Sequence, residues 1–301
     1  MPIEEAVSRF VKDGSTVAFA SSAGRMSIAY AYETIKQKKR NLKFASAGTG
    51  APCLDLLVGA RAVARAEASF TMVSCYNIRR AMECNSGPRE KGYRFEFEDY
   101  SNLAMTLRFA AASMGIPFIP IRSLRGSDIE RVRSFKGKEK LAVMKSPFKD
   151  GSRVVVLPPC RPDVAVMHGQ FADENGNVLA YGPAGSDGWA LKAASKRVVT
   201  VEKIVTDKFV KENSIRTFLP GFMVDAVCEV PYGAHPYGLF GFYDLDEPFQ
   251  KEYARMSKTQ EGFDAWAREW IFQLGGRDDY LKKVGHARLR EISTGKLLAL
   301  V

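Results

Sequence analysis

Residues 162–178 read PDVAVMHGQFADENGNV. Val164 to Met167 carries no charged group, and its β-branched residues suit a strand buried on both faces, as in parallel sheets. We read Asp163 to Met167 as a central strand with His168-Gly169-Gln170 at its C-terminal end, where open sheets turn groups toward a ligand. Asp173 to Asn177 then makes a tight turn, because Asn175-Gly176 supplies the positive φ angles of a hairpin. His168 thereby becomes a candidate for chemistry.

The flanking sequence alternates strand and helix. Ile3, Ala6, Val7, Phe10 and Val11 recur at helical spacing, and Gly14 supplies a stop. Ser15 to Ala20 is a short apolar strand, Ser27 to Lys39 a helix, Leu42 to Ala45 a second strand, and Cys53 to Val58 a further helical pattern. Ser101 to Gly115 is a helix with Ser101 as N-cap and Gly115 at its end, followed by a strand at Pro117 to Ile121. Residues 136–152 are rich in Lys, Gly and Pro and read as a surface excursion. Arg153 to Leu157 and Arg197 to Val201 are short buried strands. Beyond Pro231 strands cease, and Phe263, Trp266, Trp270, Ile271 and Leu274 form one helical stripe, suited to packing against the domain or a partner chain rather than to lining a ligand site. The expectation is an α/β fold: an open, largely parallel sheet with helices on both faces, plus a helical C-terminal extension. We read one domain, 1–301, with an α/β core at 1–230 and a mostly helical extension at 231–301.

Composition narrows the function. With 46% hydrophobic, 26% charged and 11% aromatic residues, the 301-residue chain has the profile of a globular protein and can bury a large core. The 44 Lys and Arg against 34 Asp and Glu give +10, which raises nucleic acid as a partner. The basic clusters at 36–40 and 136–140 contain no aromatic residue and fall at a helix end and in a loop. A solvated helix end, favoured by the macrodipole, explains them, and a small polyanion such as a nucleotide-bearing cofactor fits the remainder better than DNA. The five cysteines form no CxxC pair and the three histidines are isolated, so neither a disulfide framework nor a metal site is expected. MPIEEAVSRF lacks the basic start of a secretory signal, and Leu103 to Ile121 is interrupted by Arg108 and two prolines. A cytoplasmic protein without a membrane span is expected.

Two stretches carry possible chemistry. Gly48-Thr49-Gly50 follows a strand and precedes a helix, where backbone amides can approach an anion or carbonyl closely. Cys53 stands where a dinucleotide fingerprint needs its third glycine, so Gly48 and Gly50 are either a weak phosphate-side contact or a simple turn. Glu96, Glu98 and Asp99 precede the Ser101 helix and favour its positive end, with Glu98 a candidate acid or base in the alternative.

The tracts PDVAVMHGQFADENGNV, VDAVCEVPYGAHP (224–236) and FYDLDEPFQKEYARMSKTQEGFDAWAREWIF (242–272), with FEFEDYS (95–101) and PFIPIR (117–122), resemble the A (alpha) subunits of glutaconate CoA-transferase, in the class I coenzyme A transferase family. The similarity runs from the first helix to Arg288. It implies an enzyme that moves CoA between an acyl-CoA and a carboxylic acid such as glutaconate, through a glutamyl-CoA thioester. The nucleophilic glutamate of that family lies on a partner B (beta) subunit, so this chain is expected to supply half of a site in an A2B2 or higher hetero-oligomer. Coenzyme A enters as substrate, with no permanently bound cofactor. Arg25 stands in a loop where the family carries a basic residue, and a guanidinium there could clamp a substrate carboxylate bidentately; an exposed loop arginine is the alternative. Ser74 and Asn77, in VSCYNIRR, are further substrate-binding candidates. His168 becomes, on this reading, a structural residue at the rim of the cleft.

Similar A/B pairs act as ring-opening hydrolases or as decarboxylases of CoA thioesters. In the ring-opening relatives an acidic residue follows the EDYS-like tract, and here Asn102 stands at that place as a substrate-binding candidate. An amide cannot act as base, which favours transfer. A non-catalytic ligand-binding module of the same fold is the remaining alternative.

Overall fold

The computed structural model describes residues 1–20, 24–48, 50–70, 78, 93–132, 134 and 139–295. The main sheet contains β1 (Thr16–Phe19), β2 (Leu42–Ser46), β3 (Val63–Ala68), β4 (Glu96–Asp99), β8 (Val164–Ala172), β9 (Val178–Leu179), β10 (Lys196–Ile204), β11 (Thr217–Leu219) and β12 (Ala226–Glu229). Its parallel part has the order β12-β10-β8-β1-β2-β3-β4. β9 turns back antiparallel along the end of β8, and β11 pairs with β9. A separate antiparallel sheet joins β5 (Ile119–Ile121), β7 (Arg153–Leu157) and β6 (Ala142–Lys145) in that order.

The α/β expectation holds, with three local differences. Arg153–Leu157 is the centre of the small sheet rather than part of the main one, and the expected surface excursion contributes strand Ala142–Lys145 to it. The acidic tract Glu96–Asp99 is itself an edge strand. The second helix, Ile28–Lys36, stops short of Lys39, and Lys38 and Asn41 adopt positive φ beyond it. Short left-handed excursions end helices in this way.

Alternation along each strand builds two unequal layers. Val17, Phe19, Phe44, Val164 and Val166 face α1 (Ile3–Phe10), α2 (Ile28–Lys36), α3 (Ala51–Gly59) and the C-terminal helices. Ala18, Ala45, Ala165 and Met167 face the helices Asn102–Ser113 and Asp187–Ala193. The small residues of the second face let those helices approach the sheet closely. Of the C-terminal stripe, Phe263, Trp266 and Ile271 are buried in the first layer. The Trp266 ring lies 4.7 Å from Tyr253 and 5.8 Å from Tyr32 of α2, so the extension shares its core with the sheet's helices.

Residues 162–178 also depart from the sequence expectation. β8 runs on through His168, Gly169 and Gln170 to Ala172, and all nine of its residues are buried. His168 is therefore in the middle of the central strand, not at the rim of a cleft. Its Nδ1 meets Thr200 Oγ1 at 2.8 Å and its Nε2 meets Glu202 Oε1 at 2.7 Å, both on β10. A carboxylate can only accept, so Nε2 carries the proton toward Glu202. The hairpin at 173–177 forms as expected, with positive φ at Gly176 alone.

The same carboxylate orders the segment after β12. Glu202 accepts from the Tyr232 and Gly233 amides and from the Tyr243 hydroxyl. The segment next places His235 between Tyr280 Oη (2.7 Å) and Asp246 Oδ2 (3.1 Å), and Arg288 donates to both Asp246 oxygens. Burial pulls the His235 pKa below its ordinary value against the opposing pull of Asp246, with Arg277 and Arg288 adding to the decrease. Burial alone would raise the Asp246 pKa, but hydrogen bonds from His235 and Arg288 outweigh it and hold that carboxyl well below the usual range.

Two stability measurements follow from this packing. Trp266→Ala should cost about 3–5 kcal/mol in a single urea transition, as expected when a large buried ring is removed; a loss under about 1 kcal/mol, or a separate transition for the extension, would contradict one cooperative unit. His235 binds its proton more weakly when folded than when unfolded, so its stabilising contribution is present above about pH 6.5 and disappears as the pH falls. Asp246 acts in the same direction further into acid. The melting temperature should therefore drop from about pH 7 to about pH 5, and His235→Gln should flatten the upper part of that slope. A flat profile in the unaltered chain would count against the assignment.

Candidate functional site

Chain order and sheet order part company at β1. From there the chain steps outward through β2, β3 and β4, and it later takes up the other flank of β1 with β8, β10 and β12. The connections leaving β1 and β8 diverge, and the edge beyond the carboxyl ends at such a switch point is the usual ligand position in open sheets. Because β1 to β4 are parallel, the loops that follow them emerge on this same edge.

The turn after β2 is built for close approach. Gly48 has φ +93° and donates its amide to Ser69 Oγ at 2.8 Å, joining the turn to the end of β3. A Cβ on Gly50 would stand 2.1 Å from Ser46 Oγ, so only glycine fits there. The first turn of α3 begins at once at Ala51, with Pro52 at a position where no amide is needed. Gly48 and Gly50 are thus placed at the carboxyl edge of the sheet, as the sequence suggested.

Arg25 lies in the segment that follows β1 at this edge and is only 2% exposed. Its guanidinium donates to the carbonyl oxygens of Tyr181 (3.0 Å), Gly182 (3.1 Å) and Pro183, and stands 3.7 Å from the Asp187 carboxylate. The guanidinium carbon is 5.0 Å from the centre of the Phe218 ring. Burial pulls its pKa below the ordinary value, and Asp187 opposes the shift. Both sequence expectations for this residue meet a different geometry. It is not an exposed loop arginine, and its two terminal nitrogens are turned to the protein's own backbone rather than held open for a substrate carboxylate.

Glu98 is also differently engaged than a poised acid or base. It is buried near the end of β4, with Oε1 2.5 Å from Lys140 Nζ and Oε2 accepting from the Ser134 amide at 2.8 Å. Lys140 is equally buried and donates to the Val132 carbonyl, so the pair fastens the edge strand to the segment entering the small sheet. Asn102 is exposed at the first position of its helix, with Oδ1 accepting from Thr106 Oγ1 at 3.3 Å. The preceding Ser101 caps that helix by accepting from the Ala104 amide, as expected. Ser74 and Asn77 lie outside the described residues.

Several residues that the sequence does not single out, or reads as ligand-facing, hold the 181–187 turn instead. Asp187, Ser186 and Gln170 all contact the 181–187 turn or its support. Gly182-Pro-Ala-Gly-Ser-Asp187 carries a turn signal, but nothing local shows which distant side chain completes it. Arg108, in sequence only an interruption of an apolar run, is buried, pairs with Glu67 of β3 and donates to the Pro158 carbonyl.

Comparison with known proteins agrees with this geometry. Residues 1–230 match the family described as coenzyme A transferase. The chain is 33% identical to the A (alpha) component of glutaconate CoA-transferase from Acidaminococcus fermentans, covering 96% of this chain and 92% of that one. It is likewise 33% identical to the A component of 3-oxoadipate CoA-transferase from Pseudomonas knackmussii, covering 96% and 99%. The crystal structure of the Acidaminococcus enzyme superposes with a TM-score of 0.90 over 98% of this chain and 95% of the other, at 31% identity. The decarboxylase AibA/AibB is similar too, with a TM-score of 0.74 at 30% identity over 88% and 97%.

Proposed function

The chain belongs to the coenzyme A transferase family, and from that premise we propose that it is the alpha-type half of a two-component enzyme transferring CoA from an acyl-CoA to a carboxylic acid, with a dicarboxylate such as glutaconate as acceptor. The observation that carries this reading is the match, along nearly the whole chain, to the alpha components of two CoA-transferases that differ in their acid. The binding-module alternative draws no support from relatives that are enzyme components.

In this reading a glutamate supplied by the beta-type partner attacks the acyl-CoA thioester, and the resulting glutamyl-CoA thioester passes CoA to the acceptor carboxylate. The charge that develops on the carbonyl oxygen needs donors already in position. The burial of Glu98 against Lys140 supports a nucleophile supplied from outside this chain. Gly48 and Gly50 remain candidates on the CoA side: the Gly48 amide is held by Ser69, and the N-terminus of α3, which begins directly after Gly50, favours an anionic or carbonyl oxygen of the substrate. Asn102 can donate to substrate at the same edge, and Ser74 and Asn77 remain candidates from the sequence. An A2B2 or higher hetero-oligomer is the assembly that fits the resemblance.

A second reading, decarboxylation of a CoA thioester, is favoured by the likeness to AibA/AibB. Asn102, an amide without basicity, weighs toward transfer instead of a ring-opening hydrolysis.

The assay is CoA exchange from an acyl-CoA to added carboxylates, with this chain alone and with its beta-type partner. We expect no transfer by the isolated chain and recovery on addition of the partner. Full exchange by this chain alone would refute the divided site. Loss of the thioester with free CoA or CO2 as product, and no new acyl-CoA, would replace transfer with hydrolysis or decarboxylation.

A further inference from the structure

The turn from Tyr181 to Ser186 combines an exposed surface with a tightly held underside. Residues 182–185 are exposed, whereas Ser186 and Asp187 are buried. Three distant elements fasten it. Gln170 of β8 accepts from the Tyr181 amide at 3.1 Å and donates back to the Tyr181 carbonyl at 3.3 Å. Ser186 donates to the Ala47 carbonyl at 3.1 Å, joining the turn to the residue that leads into Gly48. From the β1 loop, Arg25 takes three consecutive carbonyls, those of Tyr181, Gly182 and Pro183.

Three successive carbonyls directed at one guanidinium is a demanding backbone arrangement. Positive φ at Gly182 (+87°) and Gly185 (+54°) makes it accessible. It also has a consequence for the opposite side of the turn. In a trans peptide the C=O of one residue and the N–H of the next point in opposite directions. Drawing the Tyr181 carbonyl inward therefore sends the Gly182 amide outward, to the exposed side. Pro183, which has no amide, brings no donor of its own to be satisfied.

We propose that Arg25 is a positioning residue for the transfer reaction: it holds the 181–186 turn so that the Gly182 amide and the exposed glycine-rich face are presented to substrate oxygens at the sheet's carboxyl edge. The acceptor carboxylate or the thioester carbonyl is the class of group such an amide takes. This rests on the reading of the chain as the alpha-type half of a transferase. It differs from a direct clamp, because Arg25 acts through the turn and treats every carboxylate alike.

The test uses Arg25→Lys and Ser186→Ala in the full chain assembled with its partner. Lysine keeps a charge beside Asp187, but its compact ammonium cannot span three carbonyls as a planar guanidinium does. We expect Arg25→Lys to lower kcat/KM about 100-fold, the scale of a small misplacement near reacting groups, with KM for the acceptor raised as well as kcat reduced. Monocarboxylates and dicarboxylates should suffer equally, and amide hydrogen exchange should accelerate at 181–186. Ser186→Ala, which releases the turn from its other end, should move the same quantities in the same direction by about tenfold.

Activity within about twofold of the parent, despite accelerated exchange in the turn, would overturn the proposal. So would a loss confined to dicarboxylates, which is the signature of a clamp, or a fall in kcat with KM unchanged, which reports only a smaller active fraction. If Arg25→Lys fails to assemble, Ser186→Ala decides alone. If the parent complex transfers no CoA, the functional reading fails, while hydrogen exchange in the isolated chain still decides whether Arg25 orders the turn.

Discussion

β8 places a histidine and a glutamine in the centre of a strand that is buried from end to end. A buried polar side chain without a partner costs on the order of 1–3 kcal/mol, so the surrounding chain must come to these two residues. Thr200 and Glu202 answer His168 from β10, and the Tyr181 backbone answers Gln170 on the other side. The partners bring their own segments with them. Glu202 gathers the 232–243 stretch, and Gln170 sets where the chain lies after β9.

The 181–187 turn and the C-terminal extension both follow from that requirement. The 181–187 turn stands above the carboxyl end of β1 because Gln170, on β8, and Arg25, in the loop after β1, hold it there from two directions. The C-terminal extension is anchored through His235, Asp246 and Arg288, and it then lays Phe263 and Trp266 onto α2 and α3. The first anchor is polar and directional, whereas the second is apolar and broad. A polar network specifies register, and the ring cluster supplies most of the burial that makes the register worth keeping.

The fold was legible in the sequence where one periodicity dominates a segment. Thr16–Phe19, Leu42–Ser46 and Asn102–Ser113 each lie within a residue or two of where their patterns predict them. Legibility failed where distant partners overrule local character. His168 to Gln170 looked like a strand's end because polar residues usually close a buried strand, yet internal partners let β8 continue. Arg153–Leu157 has the same Val-rich composition as a central strand of the main sheet, and only its pairing with Ile119–Ile121 assigns it elsewhere. At the site the glycines at 48 and 50 announced a close approach, since glycine's lack of Cβ is itself the signal. Arg25 announced only a charge. Its exposure, partners and orientation depend on Tyr181–Pro183, more than 150 residues away, and no local pattern encodes that.

The charged residues near the sheet's carboxyl edge divide by what they touch. Arg25, Arg108 and Lys140 are all buried, and each spends its donors on backbone carbonyls as well as on a carboxylate. Glu98 and Glu67 are counterparts of the last two. Charges arranged in this way hold loops at defined places, since the carbonyls leave little freedom to the guanidinium or ammonium once it is desolvated. They are poorly suited to attack or proton transfer, which needs a group that can change its bonding at each half-reaction. A chain whose buried charges at this edge are committed to holding its loops in place is consistent with the proposed division of the active site, in which the reactive carboxylate comes from the partner.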